Sequence, residues 1–179
     1  VMREAADQMV ASGMADYGYS YVNIDDCWMR IDPEHYATVK DRMFGFDMTG
    51  VIGPTRDAEG NVLPNDHFPD MKALTDHIHG IGLRAGLYTS PGPRTCQRYE
   101  GSHGHERQDA EQYAAWGFDF LKYDWCSYEK VATGEGHDRL QRPYRTKASL
   151  LEGQERDNGH NLSPYGLGDV WTWGGEGGG

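Results

Sequence analysis

The residues best suited to chemistry lie where one apolar run of the sequence ends. The aromatic and apolar run Phe118–Tyr123 follows Gly117 and stops at Asp124, and its composition favours a buried parallel strand over a helix. In a barrel of parallel strands the carboxyl ends of the strands face the active site, so Asp124 is a candidate nucleophile. Lys122 points to the same side of the strand, and an ammonium beside a carboxylate favours the ionised form. The alternative interpretation is a surface salt bridge at a strand end.

A second group of acids follows another predicted strand. Tyr19–Ile24 is typical of a strand, and Asp25-Asp26-Cys27-Trp28 come directly after it. Two adjacent carboxylates after a buried strand are unfavourable unless they are paired or bind a ligand. Their side chains would leave the backbone in different directions, which suits a site that contacts several hydroxyl groups. The alternative is structural, with one acid capping a turn and the other solvated.

The elements that must position these residues alternate between helix and strand. Apolar residues at helical spacing predict a helix over residues 2–10 that ends at Gly13. Residues 29–69 are irregular, with a small hairpin turn predicted at Ala58–Asn61. Three elements follow: a helix that begins at Asp70 with Leu74, Ile78 and Ile81 facing inward, the strand Leu83–Tyr88, and a helix containing Ala110, Tyr113 and Ala114 that ends at Gly117.

This alternation implies βα units and a parallel sheet. Three successive predicted strands end in residues useful for chemistry, namely the Asp25-Asp26 pair, Tyr88 and Asp124. That pattern favours a (β/α)8 barrel over a doubly wound sheet. A complete barrel takes about 250 residues, whereas the chain has 179 and opens with a helix. We therefore expect part of an α/β barrel, a (β/α)8 TIM barrel without its first strand and its C-terminal part.

The pattern weakens after Asp124. Tyr144–Leu151 predicts a helix, whereas residues 156–164 are poor strand material because they contain Asn, Gly and Pro. The Gly-rich end, residues 176–179, has no core-forming side chains, and we expect it to fray. These observations predict one partial barrel domain over residues 1–175.

Composition narrows the possible partners. The chain has 28 acidic and 17 basic residues, a net charge of −11, which provides no electrostatic basis for binding nucleic acid or an anionic membrane. No apolar run approaches the roughly 20 residues needed to cross a bilayer. The three cysteines, Cys27, Cys96 and Cys126, suggest either one pair with one orphan or a partner outside this sequence. Nothing in the sequence indicates an oligomeric state.

Several segments taken together resemble one known family. They are Tyr21–Trp28, Phe68-Pro69 with Met71–Leu74, Gly82–Tyr88, Thr95-Cys96 and Leu121–Cys126. In this order and spacing they resemble glycoside hydrolase family 27, the α-galactosidase (melibiase) family, whose catalytic domain is a (β/α)8 barrel. Gly166–Gly174 looks like a stretch beyond the fifth strand of that family. Each motif is short, but their concordance is specific.

The resemblance implies a role for each candidate residue. Asp124 matches the catalytic nucleophile, and Asp25 and Asp26 match a pair that hydrogen-bonds galactose hydroxyls. Lys122 matches a further sugar contact, and Tyr88 matches an aromatic at the edge of the site. No metal or organic cofactor is implied.

The resemblance also implies how the cysteines are used. Cys96 and Cys126 match a disulfide that joins two loops beside the sugar pocket. Cys27 matches a cysteine whose partner lies upstream, in sequence that this chain lacks. A disulfide indicates an oxidising compartment, so we expect a secreted or periplasmic protein.

Two departures from the family pattern affect the expected activity. The family's acid/base is an Asp that follows a Trp-Arg pair further along, and Asp169 precedes that position. Pro164 stands where the family often has a Glu or Gln that helps to select the sugar. We therefore expect little or no turnover from these 179 residues alone.

The predicted function is a retaining glycoside hydrolase that releases terminal α-linked galactose. Within the same family, α-N-acetylgalactosaminidase, β-L-arabinopyranosidase and isomaltodextranase are the near alternatives. A different class remains open as well, a non-catalytic sugar-binding barrel that kept the pocket and lost the acid.

Overall fold

In the described part of the chain, four parallel strands lie side by side in chain order and form one sheet. The computed structural model describes residues 1–43, 45, 47–152 and 159–177. The strands are β1 (Tyr21–Asn23), β2 (Arg84–Thr89), β3 (Phe120–Asp124) and β4 (Gly159–Ser163). Because all four run in the same direction, their carboxyl ends share one edge of the sheet.

Helices occupy the connections between the strands. The α-helices are α1 (Met2–Ala11), α2 (Pro33–Val39), α3 (Met71–Gly80), α4 (Glu106–Trp116) and α5 (Gly136–Glu152). Short 3-10 helices cover Met14–Tyr17, Lys40–Met43, Tyr128–Lys130, Val170–Thr172 and Gly174–Gly177. Within the described part of the chain, no helix combines the length and the apolar composition needed to span a membrane.

The strand–helix alternation confirms the predicted fold class. Parallel strands joined in chain order by helical crossovers are the repeating unit of a (β/α)8 barrel, and four of them are half of the eight that close one. The ladder register aligns Tyr88 of β2 with Lys122 of β3, and Asp124 of β3 with Ser163 of β4. The residues singled out for chemistry therefore meet at one edge.

The core lies between the sheet and its helices. Ile78 of α3, Leu87 of β2, Tyr113 of α4 and Leu121 of β3 are all buried in one continuous apolar cluster. Fully burying such a side chain contributes about 1.5–3 kcal/mol. This packing orients the strands, and hence the side chains at their ends.

Two predicted helix boundaries are confirmed in detail. The Asp70 carboxylate accepts a hydrogen bond from the Ala73 amide over 2.8 Å and caps α3. Gly117, with a φ of 96°, takes the left-handed conformation that ends α4. The chain can then turn directly into β3.

Arg56, whose side chain is 10% exposed, holds the irregular segment before α3 in place. An antiparallel bridge between Arg56 and Val62 confirms the predicted hairpin turn. The Arg56 guanidinium bonds both carboxylate oxygens of Asp109 in α4, over 2.7 and 3.1 Å, and Glu100 over 3.0 Å. This two-point contact holds the hairpin against α4.

Three predictions about secondary structure were wrong. Residues 159–163 form β4, although we predicted poor strand material there; residues 156–158 lie outside the described residues. The ladder to β3 satisfies the backbone hydrogen bonds of β4 and His160 is buried, so tertiary contacts override the weak strand propensity.

Helix α5 begins at Gly136 and continues through Pro143, because burial of Pro143 and Tyr144 offsets the missing hydrogen bond. The short helix α2 was not predicted.

Candidate active site

Lys122 joins the ends of three strands at the centre of the candidate site. Its ammonium donates a hydrogen bond to Oδ2 of Asp25 over 2.9 Å. The same Nζ lies 5.1 Å from the centre of the Tyr88 ring, a distance typical of a cation–π contact. A residue that follows β1 is thereby brought together with residues of β2 and β3. Tyr88 is buried rather than open at the edge of the site.

The partner of Lys122 differs from the one that the sequence suggested. Lys122 was expected to support the ionised form of Asp124, but it forms an ion pair with Asp25. Burial acts to raise the pKa of Asp25, yet hydrogen bonds from Lys122 and from the Asp26 amide lower that pKa overall. Asp25 therefore stays ionised and directs a largely exposed carboxylate toward solvent.

Asp26 is held by the backbone on both sides. Its Oδ1 accepts from the Cys27 amide and its Oδ2 from the Gln97 amide, each over 2.8 Å. Burial nevertheless raises its pKa above the ordinary value, because the hydrogen bonds only partly offset desolvation. Gln97 belongs to the loop after β2, so this carboxylate also connects two of the loops around the site.

Asp124 lies at the end of β3 and is only 6% exposed. Its Oδ1 is buried and has no hydrogen-bond partner among the residues that the structure describes. A buried carboxylate oxygen without a partner is unfavourable and uncommon, and it is most readily explained by a ligand or a reacting atom at that position. This feature distinguishes Asp124 from the two acids after β1.

A disulfide fastens the loops beside Asp124. Cys96 and Cys126 are bonded with their Cα atoms 5.0 Å apart, which confirms the predicted pair. The Ser90 hydroxyl donates to the Cys126 carbonyl over 2.5 Å, and the Ser127 hydroxyl donates to the Arg94 carbonyl over 2.6 Å. The loops after β2 and β3 therefore form one unit.

Backbone geometry shows how closely these loops approach each other. A side chain at Gly92 would overlap the carbonyl of Cys126, so only glycine fits there. Cys27, Ser127 and Tyr165, each shortly after a strand end, have φ values of 74°, 58° and 55°. Such left-handed conformations are uncommon for residues other than glycine and often occur at functional sites.

The third cysteine, Cys27, is unpaired in the described part of the chain. It is half-buried. Burial and the nearby Asp26 charge raise the pKa of Cys27 to about 12, so the thiol stays protonated at neutral pH.

One group of side chains has the spacing of a metal site. Oxygen or sulfur atoms of Cys96, Asp124 and Cys126 all lie within 4.8 Å of one another. The two sulfur atoms are bonded to each other, however, and a disulfide does not provide the thiolates that bind metals.

Three further residues of the site were not assigned a role from the sequence. The Trp28 indole donates to the Tyr88 carbonyl over 2.8 Å and anchors the loop after β1. Gln97 contributes only its backbone amide, so its side-chain type could not have indicated this role. The Tyr165 hydroxyl lies 3.0 Å from Sγ of Cys96. The sequence feature that could have pointed to Tyr165 is its position next to Pro164, where the sequence departs from the family pattern.

The parallel strands, their helical crossovers and the acidic candidate site at the carboxyl edge are those of part of a (β/α)8 barrel enzyme. The sequence model of the family Melibiase_2, described as alpha galactosidase A, matches residues 1–150. The chain belongs to this melibiase family, which confirms the resemblance to glycoside hydrolase family 27.

Individual relatives support this assignment. The alpha-galactosidase of Coffea arabica is 36% identical over 176 residues, which cover 97% of this chain and 39% of the relative. That of Cyamopsis tetragonoloba is 40% identical over 157 residues, covering 86% and 31%. The structure of the Saccharomyces cerevisiae enzyme with raffinose matches with a TM-score of 0.78 at 27% identity, covering 96% of this chain and 33% of that one. This chain thus spans between 31% and 39% of the two curated relatives.

Proposed function

We propose that the protein containing this chain is a retaining glycosidase that releases terminal α-linked galactose from oligosaccharides or glycoconjugates. The observation that carries the proposal is the buried Oδ1 of Asp124, which has no partner among the described residues and lies at the strand edge that also holds Asp25 and Lys122. Relatives named alpha-galactosidase align with nearly the whole chain, which supports the choice of sugar.

Asp124 would act as the nucleophile of a double displacement. Its Oδ1 forms a bond to the anomeric carbon while the bond from that carbon to the leaving oxygen breaks. A second carboxylate, about 5 Å away in such enzymes, gives a proton to the leaving oxygen. By the family resemblance, this acid is an Asp that follows a Trp-Arg pair, further along the sequence than Asp169. Water, deprotonated by the same carboxylate, then hydrolyses the ester and releases the sugar with retained configuration.

The other charged groups would hold the sugar during these steps. Asp25 has an exposed carboxylate and Lys122 an adjacent ammonium, so both can form charge-assisted hydrogen bonds with hydroxyl groups. Asp26, fixed by two backbone amides, would present its remaining acceptor positions in a constant direction. The proposed reaction uses no metal or organic cofactor.

The Cys96–Cys126 disulfide supports a location in an oxidising compartment. We therefore propose that the protein is secreted or periplasmic.

The direct test is covalent labelling of the protein at its natural length. A mechanism-based α-galactosyl inactivator should attach one sugar, and peptide mass spectrometry should place that sugar on Asp124. Raffinose and an aryl α-galactoside should both be hydrolysed, and Asp124→Asn should nearly abolish turnover while sugar binding persists. A label on another residue would refute the assigned nucleophile. Binding of galactose without any turnover would instead favour a non-catalytic sugar-binding protein.

A further inference from the structure

Tyr165 has an unusual position beside the candidate nucleophile. It lies just after β4 on a left-handed backbone with a φ of 55°, and its side chain is turned toward the disulfide. The hydroxyl oxygen lies 3.0 Å from Sγ of Cys96 and 3.2 Å from Sγ of Cys126. A bulky residue in this conformation indicates local strain, and strain of this kind often occurs at functional sites.

The same hydroxyl also interacts with the nucleophile. Oxygen of Asp124 lies within 4.8 Å of both sulfur atoms that Tyr165 contacts. Although Tyr165 is 61% exposed, burial of its hydroxyl raises its pKa first, and the Asp124 carboxylate, an acceptor for that hydroxyl, raises it further. Sulfur is a weak acceptor and a carboxylate a strong one, so the single phenolic proton favours Asp124.

We propose that Tyr165 is a positioning residue for the nucleophile: its hydroxyl donates to the Asp124 carboxylate and holds it so that Oδ1 faces the reacting carbon. This inference rests on the proposed function, in which Asp124 is the nucleophile. It adds a contact from a segment that departs from the family pattern at Pro164, next to Tyr165. Tyr165 keeps its own proton throughout, and Asp124 alone forms and breaks the bond to the sugar.

Several titratable groups lie around Asp124. The titratable groups that interact with it include Tyr88 of β2, Tyr144 of α5 and Tyr165. Asp26 and Glu129 add further negative charge around the Tyr165 hydroxyl. The cation of Lys122, on the same strand, is paired with Asp25. In this setting the Tyr165 hydroxyl is a donor available to the Asp124 carboxylate.

Tyr165→Phe in the protein at its natural length separates positioning from packing, since it removes only the hydroxyl. With an aryl α-galactoside, we expect kcat to fall about 10- to 100-fold, the loss typical of one hydrogen bond to a charged group, with KM within about threefold. Tyr17→Phe is the matched control, because Tyr17 is 87% exposed and lies outside the site.

Two outcomes would overturn the inference while leaving the proposed function intact. One is a Tyr165→Phe enzyme with unchanged kcat, even if its melting temperature falls, because that would show packing against the disulfide only. The other is a double variant in which the melting-temperature shifts of Tyr165→Phe and Asp124→Asn simply add, because two groups that interact give non-additive shifts. A wild-type protein that hydrolyses no α-galactoside would refute the proposed function, and the positioning role would fall with it.

Discussion

Lys122 donates a hydrogen bond to Asp25 over 2.9 Å, although 97 residues separate the two in the chain. The register of the parallel sheet makes the contact possible, because the ends of β1 and β3 flank β2 at one edge. The ammonium also lies over the ring of Tyr88, which belongs to the strand between them. The Lys122 ammonium thus connects two other candidate sugar contacts, Asp25 and Tyr88.

Replacing Lys122 by Met should raise KM for an aryl α-galactoside at least tenfold. One reason is that the sugar loses a hydrogen bond to a charged group, and the other is that Asp25 loses its ion-pair partner. Without Lys122 the pKa of Asp25 should rise, so Asp25 should become protonated at a higher pH than in the wild-type protein. Sugar binding that depends on the ionised carboxylate should be lost at that higher pH as well. Steady-state kinetics from about pH 3 to about pH 7, the range over which carboxylates titrate, measure both effects. Lys72→Met, at an exposed helix pair, is the control. An unchanged KM would contradict the assigned contact.

Asp26→Asn should weaken sugar binding and turnover together, by about 100-fold in kcat/KM, because the contact is made in both the ground state and the transition state. The amide side chain can accept at only one atom, so it cannot keep both the Cys27 and the Gln97 hydrogen bonds. Calorimetric titration with galactose and initial rates should show parallel losses. Asp66→Asn, at a surface pair with Arg30, should change neither. A loss confined to kcat would indicate a direct chemical role for Asp26.

The disulfide should be recovered by non-reducing peptide mapping as a covalent link between the peptides that carry Cys96 and Cys126. In the 179-residue chain, which lacks the upstream partner expected for Cys27, this thiol should react slowly with iodoacetamide near neutral pH, because its pKa of about 12 leaves almost no thiolate. Rapid alkylation of Cys96 without reductant would show that the pair is not formed. Because Tyr165 rests on both sulfur atoms, mild reduction should also lower activity.

Lys147→Met should change the pH dependence of stability. Lys147 is fully buried and donates to the Glu106 carbonyl over 3.0 Å. Burial lowers its pKa from 10.5 to about 8, so the unfolded chain binds a proton more tightly than the folded one. Wild-type stability should therefore gain about 3 kcal/mol relative to Lys147→Met as the pH rises from about 8 to about 10.5.

Urea unfolding of both proteins across that pH range measures the difference. Lys72→Met serves as the control, because its pair with Asp76 is exposed and should not alter the pH dependence. Parallel curves for wild type and Lys147→Met would show that the buried ammonium does not titrate as expected.

Local sequence patterns were enough to predict the helices and strands whose residue propensities and terminal residues specify them. The Asp70 cap, the Gly117 turn and the alternation of helix and strand each depend on residues close together in the chain. The same local patterns gave a wrong prediction at β4, where a strand poor in strand-forming residues is held by its ladder to β3. They also placed the start of α5 too late, after Pro143, although the helix continues through that proline.

The sequence by itself determined which chemical groups lie at the ends of the strands, because strand period and chain direction place Asp25, Lys122 and Asp124 at one edge of a parallel sheet. Only the tertiary structure decided which of these groups interact. Lys122 bonds Asp25, Asp26 accepts from the Gln97 amide, and the Tyr165 hydroxyl reaches the disulfide beside Asp124. These pairings depend on the sheet register and on loop conformations set by contacts between residues far apart in the chain, and such contacts leave no periodic pattern in the sequence.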